Sequence, residues 1–203
     1  MPDPPKNSDL HGSAPDNSPV ALLLLEVIND FDYPDGEKLF ECARPTVPRL
    51  RQLKRAAKAA AVPVLYVNDN FGRWQSDFKK LIEHCLETER GRAFAAQLTP
   101  DDDDYFVLKP KHSGFYGTTL ELLLRYLQAR TVVLAGLTGD MCVLFTAMDA
   151  YLRDFHLVIP ADCVASCVVE HNDHALAHMQ RVLKADIVTS ETLEFHALKR
   201  RHD

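Results

Sequence analysis

The chain has fewer basic than acidic residues. It contains 23 lysines and arginines against 29 aspartates and glutamates, a formal net charge of -6 over 203 residues. Nucleic acids and anionic membranes select surfaces with clustered lysine and arginine, so this balance argues against both as partners. We therefore expect a small-molecule partner.

Long apolar runs and a leader segment are also missing. No run approaches the length that crosses a bilayer, and the amino terminus has no basic segment leading into an apolar core. With 46% hydrophobic and 26% charged residues, the composition is that of an ordinary soluble protein with one substantial core. We predict a single cytoplasmic domain with no membrane segment.

Paired cysteine motifs are absent as well. The cysteines are an odd number, and none stands in a Cys-x-x-Cys pair. Cys163 and Cys167 could form half of a metal site, but no second pair at matching spacing completes it. Reduced thiols that pack in the core or in loops are the simpler interpretation. The five cysteines are Cys42, Cys85, Cys142, Cys163 and Cys167.

The apolar segments divide the chain into a tail and one domain. Residues 1–19 are rich in Pro, Ser, Asn and Asp, so we expect a flexible tail before a domain at 20–203. From residue 20 onward, strand and helix patterns alternate. This alternation predicts a three-layer α/β fold with a six-stranded, mostly parallel sheet flanked by helices. The strands are predicted at 20–27, 62–67, 105–108, 131–135, 157–160 and 187–188.

Two charge runs have a plain interpretation. A helical pattern at 37–61 carries a dense cationic stretch, which is typical of a solvated helix face. The acidic run 101–104 is typical of a solvated turn. The cations are Arg49, Arg51, Lys54, Arg55 and Lys58.

Polar side chains stand where the predicted strands end. Glu26 ends the first strand, Asp69 and Asn70 follow the second, Lys109 ends the third and Cys142 follows the fourth. Because α/β sheets bind ligands at the carboxyl ends of their strands, an acid, a lysine and a thiol are predicted to face one crevice. The first strand end lacks the glycines of a dinucleotide site, which disfavours that class of ligand.

Cys142 is the first candidate nucleophile. It follows an apolar strand pattern and a turn with two glycines, and it begins a helix predicted at 142–153. Free N–H groups and the helix dipole at such a position favour a thiolate, the nucleophilic form of cysteine. The alternative is a small apolar thiol that packs where strand meets helix.

Four motifs carry a resemblance to a known family. They are ALLLLEVINDF at 21–31, YVND at 66–69, Lys109 followed by SGFYGT at 113–118, and GLTGDMCV at 136–143 with Thr146 and Asp149-Ala150 behind it. In this order they are similar to the motifs of the isochorismatase-like cysteine hydrolases, which include nicotinamidases and N-carbamoylsarcosine amidohydrolases. The resemblance covers about residues 20 to 190.

The resemblance implies a catalytic triad and a reaction. A thiol at the position of Cys142 attacks a carbonyl, an acid at the position of Glu26 shuttles protons, and a lysine at the position of Lys109 holds both in place. The peptide bond before the residue matching Thr138 is commonly cis, which would turn backbone N–H groups near Thr138 and Cys142 toward the oxyanion. The implied enzyme is an amidohydrolase that cleaves a small amide or carbamoyl compound through a Cys142 thioester.

The acid departs from the family pattern, because the family has aspartate where this chain has Glu26. Glutamate can perform the same acid-base chemistry, but catalytic geometry is sensitive to shifts of about 1 Å. Either the pocket has adapted, or activity is impaired, or the residue differs from the natural one. Asp30, the other carboxylate of the motif, is expected to cap the turn after the strand.

The metal ligands of nicotinamidases are not matched either. Those relatives carry Asp-x-His after the second strand, whereas this chain has Asp-Asn-Phe at 69–71, and Phe71 cannot bind a metal. His171, His174 and His178 lie along one predicted helix and are interpreted as surface or packing residues. We expect no metal and no cofactor.

Aromatic residues near the strand ends are candidates for a substrate pocket. Phe31, Trp74 and Phe115, together with Asn70, are predicted to line it. Ordinary core packing of the aromatics is the alternative.

Two other functions stay open. The family contains vinyl-ether hydrolysis, as in isochorismatase itself, but those enzymes need no cysteine nucleophile, so Cys142 favours amide hydrolysis. The second is a small-molecule binder whose chemistry is lost with the change at Glu26. By analogy with the relatives, we expect a homodimer or homotetramer.

Overall fold

The computed structural model describes residues 18–70 and 77–201. Its centre is a seven-stranded sheet in which all pairings among the described strands are parallel. The strands are β1 (Val20–Leu25), β2 (Val64–Asp69), β3 (Tyr105–Lys109), β4 (Thr131–Leu137), β5 (His156–Pro160), β6 (Val164–Ala165) and β7 (Asp186–Val188). They run in the order β3-β2-β1-β4-β5-β7, with β6 paired to β4.

Eight α-helices cover this sheet within the described residues. On one face, side chains of α1, α2, α3, α4 and α8 form a single apolar cluster with alternate residues of β1. On the other face, α5, α6 and α7 pack against the intervening β1 residues. The helices are α1 (Gly36–Ala43), α2 (Val47–Ala59), α3 (Phe78–Glu87), α4 (Glu89–Ala95), α5 (Leu120–Tyr126), α6 (Leu144–Tyr151), α7 (Val169–Leu183) and α8 (Phe195–Arg200).

The central strand β1 owes its position to its composition. All six of its residues are apolar and fully buried, as expected for a strand covered on both faces. Leu25, its last residue, lies opposite Val67 of β2 and Gly136 of β4. At Gly136, φ is +118° and a Cβ would lie 2.0 Å from the Leu25 carbonyl oxygen, so only glycine fits between these strands.

The predicted three-layer α/β class is confirmed, and the differences are local. Strand β6 and helices α4 and α8 are short elements that the sequence pattern did not indicate. The helix predicted at 37–61 is two helices, separated by a 3-10 turn at Arg44–Thr46. Pro45 in this turn has no N–H to donate to a continuous helix, which accounts for the break. The helix predicted from Cys142 begins earlier, with a π-helical turn at Gly139–Val143.

The domain begins before residue 20. Ser18 is fully buried, and its N–H donates to the carbonyl of Leu127 at 2.9 Å. The Pro19 carbonyl accepts from the N–H groups of Arg130 and Thr131, both at 2.9 Å. These bonds place two residues of the predicted tail in the folded unit, while residues 1–17 lie outside the described residues.

The described helices are all too short or too polar to cross a membrane. A cytoplasmic location stays a prediction.

Candidate active site

The carboxyl ends of β1, β3 and β4 bring the predicted reactive side chains together. Glu26 directly follows β1, Lys109 ends β3 opposite Asp69 of β2, and Cys142 lies in the turn after β4. The strand ends meet because the sheet is parallel, so residues far apart in sequence share one edge. An acid, a lysine and a thiol do face the same crevice.

Lys109 lies at the centre of this group. Its side chain is fully buried, and Nζ lies 2.5 Å from Glu26 Oε1 and 3.4 Å from Cys142 Sγ. Nζ also donates to the Lys111 carbonyl at 3.0 Å, so each of the three ammonium hydrogens has an acceptor. Burial acts to lower the pKa of Lys109, but the surrounding negative groups, Glu26 first, hold that pKa above its ordinary value.

Two neighbouring donors fix the Glu26 carboxylate. Its Oε1 accepts from the Asp69 N–H at 2.8 Å as well as from Lys109. Its backbone has φ +53°, a conformation that side chains other than glycine rarely adopt and that often occurs at functional sites. Burial raises the pKa of this carboxyl above its ordinary value, although Lys109 acts in the opposite direction.

The resting state of Cys142 differs from the sequence expectation. A helix start beside a lysine predicted a thiolate, yet burial and the charge of Glu26 raise the pKa of the thiol to about 11. Lys109 and a backbone hydrogen bond from Thr138 offset only part of this rise. The expectation was wrong because the Lys109 charge is already paired with Glu26, and the effect of burial on the thiol outweighs the effect of the helix start.

Thr138 occupies the bend between β4 and the helical turn. The peptide bond Leu137-Thr138 is cis, as the family resemblance implied. The Thr138 carbonyl accepts from the N–H groups of Met141 at 3.2 Å and Val143 at 3.0 Å. These two N–H groups are therefore occupied, while the Thr138 N–H faces the Cys142 sulfur.

The thiol and the carboxylate open into a cleft of about 460 Å³. Its lining is mainly apolar, with polar groups at a few points, as is usual for small-molecule sites. Asn29 and Asp69 lie on the polar side, and His112 approaches Cys142 Sγ with Nδ1 at 4.0 Å. Side chains that contribute apolar surface include Tyr33, Pro34, Leu39, Leu137 and Met141.

The predicted aromatic pocket is largely wrong, because two of its members are core residues. Phe31 is fully buried and packs edge-on against Phe94, with ring centroids 5.1 Å apart. Phe115 is 5% exposed and lies under the guanidinium of Arg153, which is 4.9 Å from the ring centroid. The loops after the strands turn these rings inward, away from the cleft lining.

Of the other two predicted pocket residues, Asn70 directly follows β2. The Asn70 N–H donates to the Lys109 carbonyl at 3.3 Å, which fixes this residue beside the strand that carries the lysine. Trp74 lies outside the described residues.

Sequence reasoning missed His112 and Tyr33 as members of the cleft. His112 lies three residues after Lys109, directly before the SGFYGT motif, so its distance from the lysine was the available signal. Tyr33 follows the first motif by two residues and offered no comparable signal. Asp30 does cap its turn, since it accepts from the Asp32 N–H at 3.0 Å.

One acidic group among the described residues could hold a metal ion by geometry. It consists of Asp101, Asp103 and Asp104, far from Cys142. Lys54 and Lys58 of α2 already neutralise these carboxylates, so the group is an ion-pair cluster. Lys54 is only 7% exposed, which corrects the expectation that it belongs to a solvated helix face.

Comparison with known proteins agrees with this geometry. The isochorismatase domain matches residues 20–192. The chain belongs to the isochorismatase family. It is 43% identical to the uncharacterized isochorismatase family protein YaaI of Bacillus subtilis (strain 168) over 173 residues, which cover 85% of this chain and 95% of YaaI. The family predicted from the four motifs is thereby confirmed.

Solved structures of related proteins have the same fold as this isochorismatase-family chain. N-carbamoylsarcosine amidase from Thermoplasma acidophilum superposes with a TM-score of 0.68 at 28% identity, covering 87% of this chain and 99% of that one. Nicotinamidase PncA from Bacillus subtilis superposes with a TM-score of 0.67 at 28% identity, covering 84% of this chain and 99% of that one.

Proposed function

We propose that this isochorismatase-family hydrolase cleaves the C–N bond of a small amide or carbamoyl compound through a thioester on Cys142. One observation carries the proposal: a buried ammonium, Lys109, bridges a carboxylate and a thiol at the floor of a cleft. This arrangement supplies a nucleophile, a base and a fixed positive charge within hydrogen-bonding distance of one another.

In the first step, the Cys142 sulfur attacks the substrate carbonyl carbon while its proton moves to Glu26. The raised pKa of both groups supports this assignment, because a thiol that keeps its proton needs a base and a buried carboxylate accepts a proton readily. Lys109 holds the carboxylate and the sulfur side by side and keeps a positive charge near the negative charge that moves between them.

The carbonyl oxygen becomes an oxyanion and needs donors. We assign this role to the backbone N–H groups of Thr138 and Cys142. Support comes from the Thr138 N–H, which already faces the sulfur, whereas the N–H groups of Met141 and Val143 are occupied by the Thr138 carbonyl.

Collapse of the intermediate breaks the C–N bond and leaves the acyl group on sulfur. Glu26 carries the thiol proton and can return it as an acid, and water then hydrolyses the thioester. The sum of the steps is amide plus water giving an acid and an amine.

The relatives support an amide substrate. Two of the structures that superpose on this chain are named for hydrolysis of carbamoyl and amide compounds, N-carbamoylsarcosine and nicotinamide. Vinyl-ether hydrolysis would leave Cys142 without a role. A binder that has lost its chemistry would not need Glu26 in contact with both Lys109 and the Asp69 N–H.

The deciding experiment measures ammonia release from a panel of nicotinamide, N-carbamoylsarcosine and ureido acids. Wild-type protein should hydrolyse at least one member, and Cys142→Ser should lose that activity by a factor of about a thousand or more. Cys42→Ser is the matched control, since this partly exposed thiol lies outside the cleft lining.

Mass spectrometry of quenched reactions gives a second readout. An acyl adduct on Cys142 supports the thioester. If the wild-type protein turns over an amide but Cys142→Ser does so equally well, the proposed mechanism is wrong.

We also propose that the protein forms a homodimer or homotetramer. Several apolar side chains of α6 and of the residue that follows it are exposed, which supports an oligomer. Light scattering after size exclusion measures the mass directly, and a monomer at micromolar concentration would contradict this proposal. The exposed side chains are Phe145, Met148, Tyr151 and Leu152.

A further inference from the structure

His112 is the titratable group nearest the nucleophile on the open side of the cleft. Its Nδ1 lies 4.0 Å from Cys142 Sγ, and the side chain is exposed at the rim. The ring packs against Phe145 of α6 with centroids 5.3 Å apart, which restricts its orientation. The backbone just before it is also fixed, because the Lys111 carbonyl accepts from Lys109 Nζ.

We propose that His112 is a further catalytic residue, and that its imidazolium donates the proton to the leaving nitrogen of the substrate. This inference rests on the amide hydrolysis proposed above and assigns one of its proton transfers to a second group. Glu26 then exchanges a proton only with the thiol.

Burial separates the two groups. Glu26 is 6% exposed, and its Oε1 accepts from both Lys109 and the Asp69 N–H, so the carboxylate is fixed at the floor beside the sulfur. The amine that leaves must depart toward solvent, past the rim. A donor at the rim therefore meets the leaving nitrogen more directly than a carboxylate underneath the reacting carbon.

The distance from the sulfur fits this role. In the tetrahedral intermediate, the leaving nitrogen is two bonds from Cys142 Sγ. An imidazole nitrogen at 4.0 Å from that sulfur can therefore come within hydrogen-bond reach of the leaving nitrogen, at about 2.6–3.2 Å. A direct hydrogen bond to the thiol is not required.

The protons balance over the cycle. Cys142 gives its proton to Glu26 as the C–S bond forms. The C–N bond then breaks, its electron pair stays on nitrogen, and His112 supplies the proton that completes the amine. Water next attacks the thioester and returns a proton to His112, and the departing thiolate recovers its own from Glu26.

The test compares leaving groups of different basicity. An amine must be protonated to leave, whereas the p-nitrophenolate of p-nitrophenyl acetate needs no proton. His112→Asn should therefore lower kcat for the best amide of the panel by about a hundredfold with little change in KM. The same variant should release the first equivalent of p-nitrophenolate from p-nitrophenyl acetate, a burst that reports acylation alone, at within about threefold of the wild-type rate.

Two further variants keep the test sharp. His178→Asn replaces an exposed histidine of α7 and should leave both reactions unchanged. His112→Gln repeats the test with a longer amide in case the asparagine variant does not fold, which circular dichroism would reveal.

The outcomes separate the two proposals. Equal loss on amide and ester would show that His112 only shapes the site, and no loss on the amide would show that Glu26 protonates the amine alone. Either result overturns the inference while leaving the thioester mechanism in place. A wild-type protein that hydrolyses no amide contradicts the proposed function itself, and the role of His112 with it.

Discussion

Lys54 and Lys109 are both buried lysines, and each ammonium group has three acceptors within 3.5 Å. Lys54 Nζ lies 2.6 Å from Asp104 Oδ2 and 3.2 Å from Asp101 Oδ2, and it donates to the Thr99 carbonyl at 3.1 Å. Lys109 has one carboxylate, one thiol and one carbonyl within 3.5 Å, and a second carboxylate, Asp69, lies slightly farther away at 3.6 Å. The two clusters differ chiefly in one acceptor, a carboxylate in the first and a thiol in the second.

That difference decides whether a lysine cluster only stabilises the fold or can also react. The acceptors around Lys54 include no nucleophile, so this cluster ties α2 to the acidic turn and performs no chemistry. The Cys142 thiol at Lys109 carries a proton that a neighbouring carboxylate can take, so the second cluster can change state. A buried ion pair therefore does not mark an active site until one of its members can exchange a proton or react.

The largest effect should come from removing each lysine in turn. Lys109→Ala should lower turnover by about a thousandfold, because the thiol and Glu26 lose the charge that holds them together. Lys54→Ala should leave turnover within about twofold and lower the free energy of unfolding by about 1–3 kcal/mol, since the buried Asp104 carboxylate then keeps only Lys58 as its partner. Steady-state kinetics and urea unfolding measure both effects. Equal kinetic losses in the two variants would contradict a catalytic role that belongs to Lys109 alone.

The next largest difference is expected between the carboxylates that pair with the two lysines, Glu26 and Asp104. Glu26→Gln should lower turnover at least a hundredfold, because an amide keeps the shape of the side chain but cannot accept the thiol proton. Asp104→Asn should leave the kinetics intact and destabilise the fold by about 1 kcal/mol. If the glutamine variant acylates at the wild-type rate, the base is another group.

Shortening Glu26 tests whether the cluster is fitted to its longer side chain. The carboxylate reaches Lys109 and the Asp69 N–H together, so we expect Glu26→Asp to withdraw it from one of them and to lower kcat about tenfold or more. A rise in kcat would mean that the glutamate is a degenerate residue rather than an adapted one. Asp69→Glu is not a suitable control, because Asp69 also lines the cleft.

The state of the thiol makes a smaller, pH-dependent prediction. With the pKa of Cys142 raised to about 11, the thiolate fraction at pH 7 is below that of an ordinary thiol. Labelling of Cys142 by iodoacetamide should therefore increase with every pH step between 7 and 10 and show no plateau. Site-by-site mass spectrometry distinguishes Cys142 from Cys42, and a plateau below pH 8 would contradict the raised value.

The smallest effect concerns acid stability at the Lys54 cluster. Burial acts to raise the pKa of Asp101, but Lys54 and Lys58 outweigh it and lower that pKa. A carboxyl whose pKa is lowered in the folded state stabilises the fold above its ordinary pKa, and this contribution disappears as the pH falls through the lowered value. Asp101→Asn should flatten the acid side of the stability profile slightly, since Asp101 is largely exposed and its pairs are screened.

The sequence predicted those parts of the site that depend on the strand ends. Glu26, Lys109 and Cys142 each follow or end an apolar run, and parallel strands bring such positions together without any knowledge of side-chain contacts. The same logic failed for Phe31 and Phe115, because the direction of a loop side chain depends on turn geometry. Phe31 has φ +56°, and this left-handed turn, invisible in the residue pattern, carries the ring into the core.

The pairing and protonation of buried charged groups were the properties hardest to predict from the sequence. The local sequence around Cys142 contains a helix start, which alone indicates a thiolate. Whether Lys109 can support that thiolate depends on its other contacts, and Glu26 already pairs with it. Likewise, the local sequence indicates that Lys54 is a surface cation on α2. The acidic turn that buries it lies some fifty positions later in the sequence.

Gly136 constrains the active site without taking part in any chemistry. It lies opposite Leu25, the residue before Glu26, and it precedes the turn that carries Cys142 by only a few positions. A methyl group there would force the Leu25 carbonyl away and spread β1 from β4, and the acid and the thiol would separate with the strands that carry them. Substitution at this position is thus limited by the clash with the Leu25 carbonyl and by the catalytic distance that the clash would disturb. Saturation mutagenesis scored on turnover should therefore find as few active variants at residue 136 as at the nucleophile.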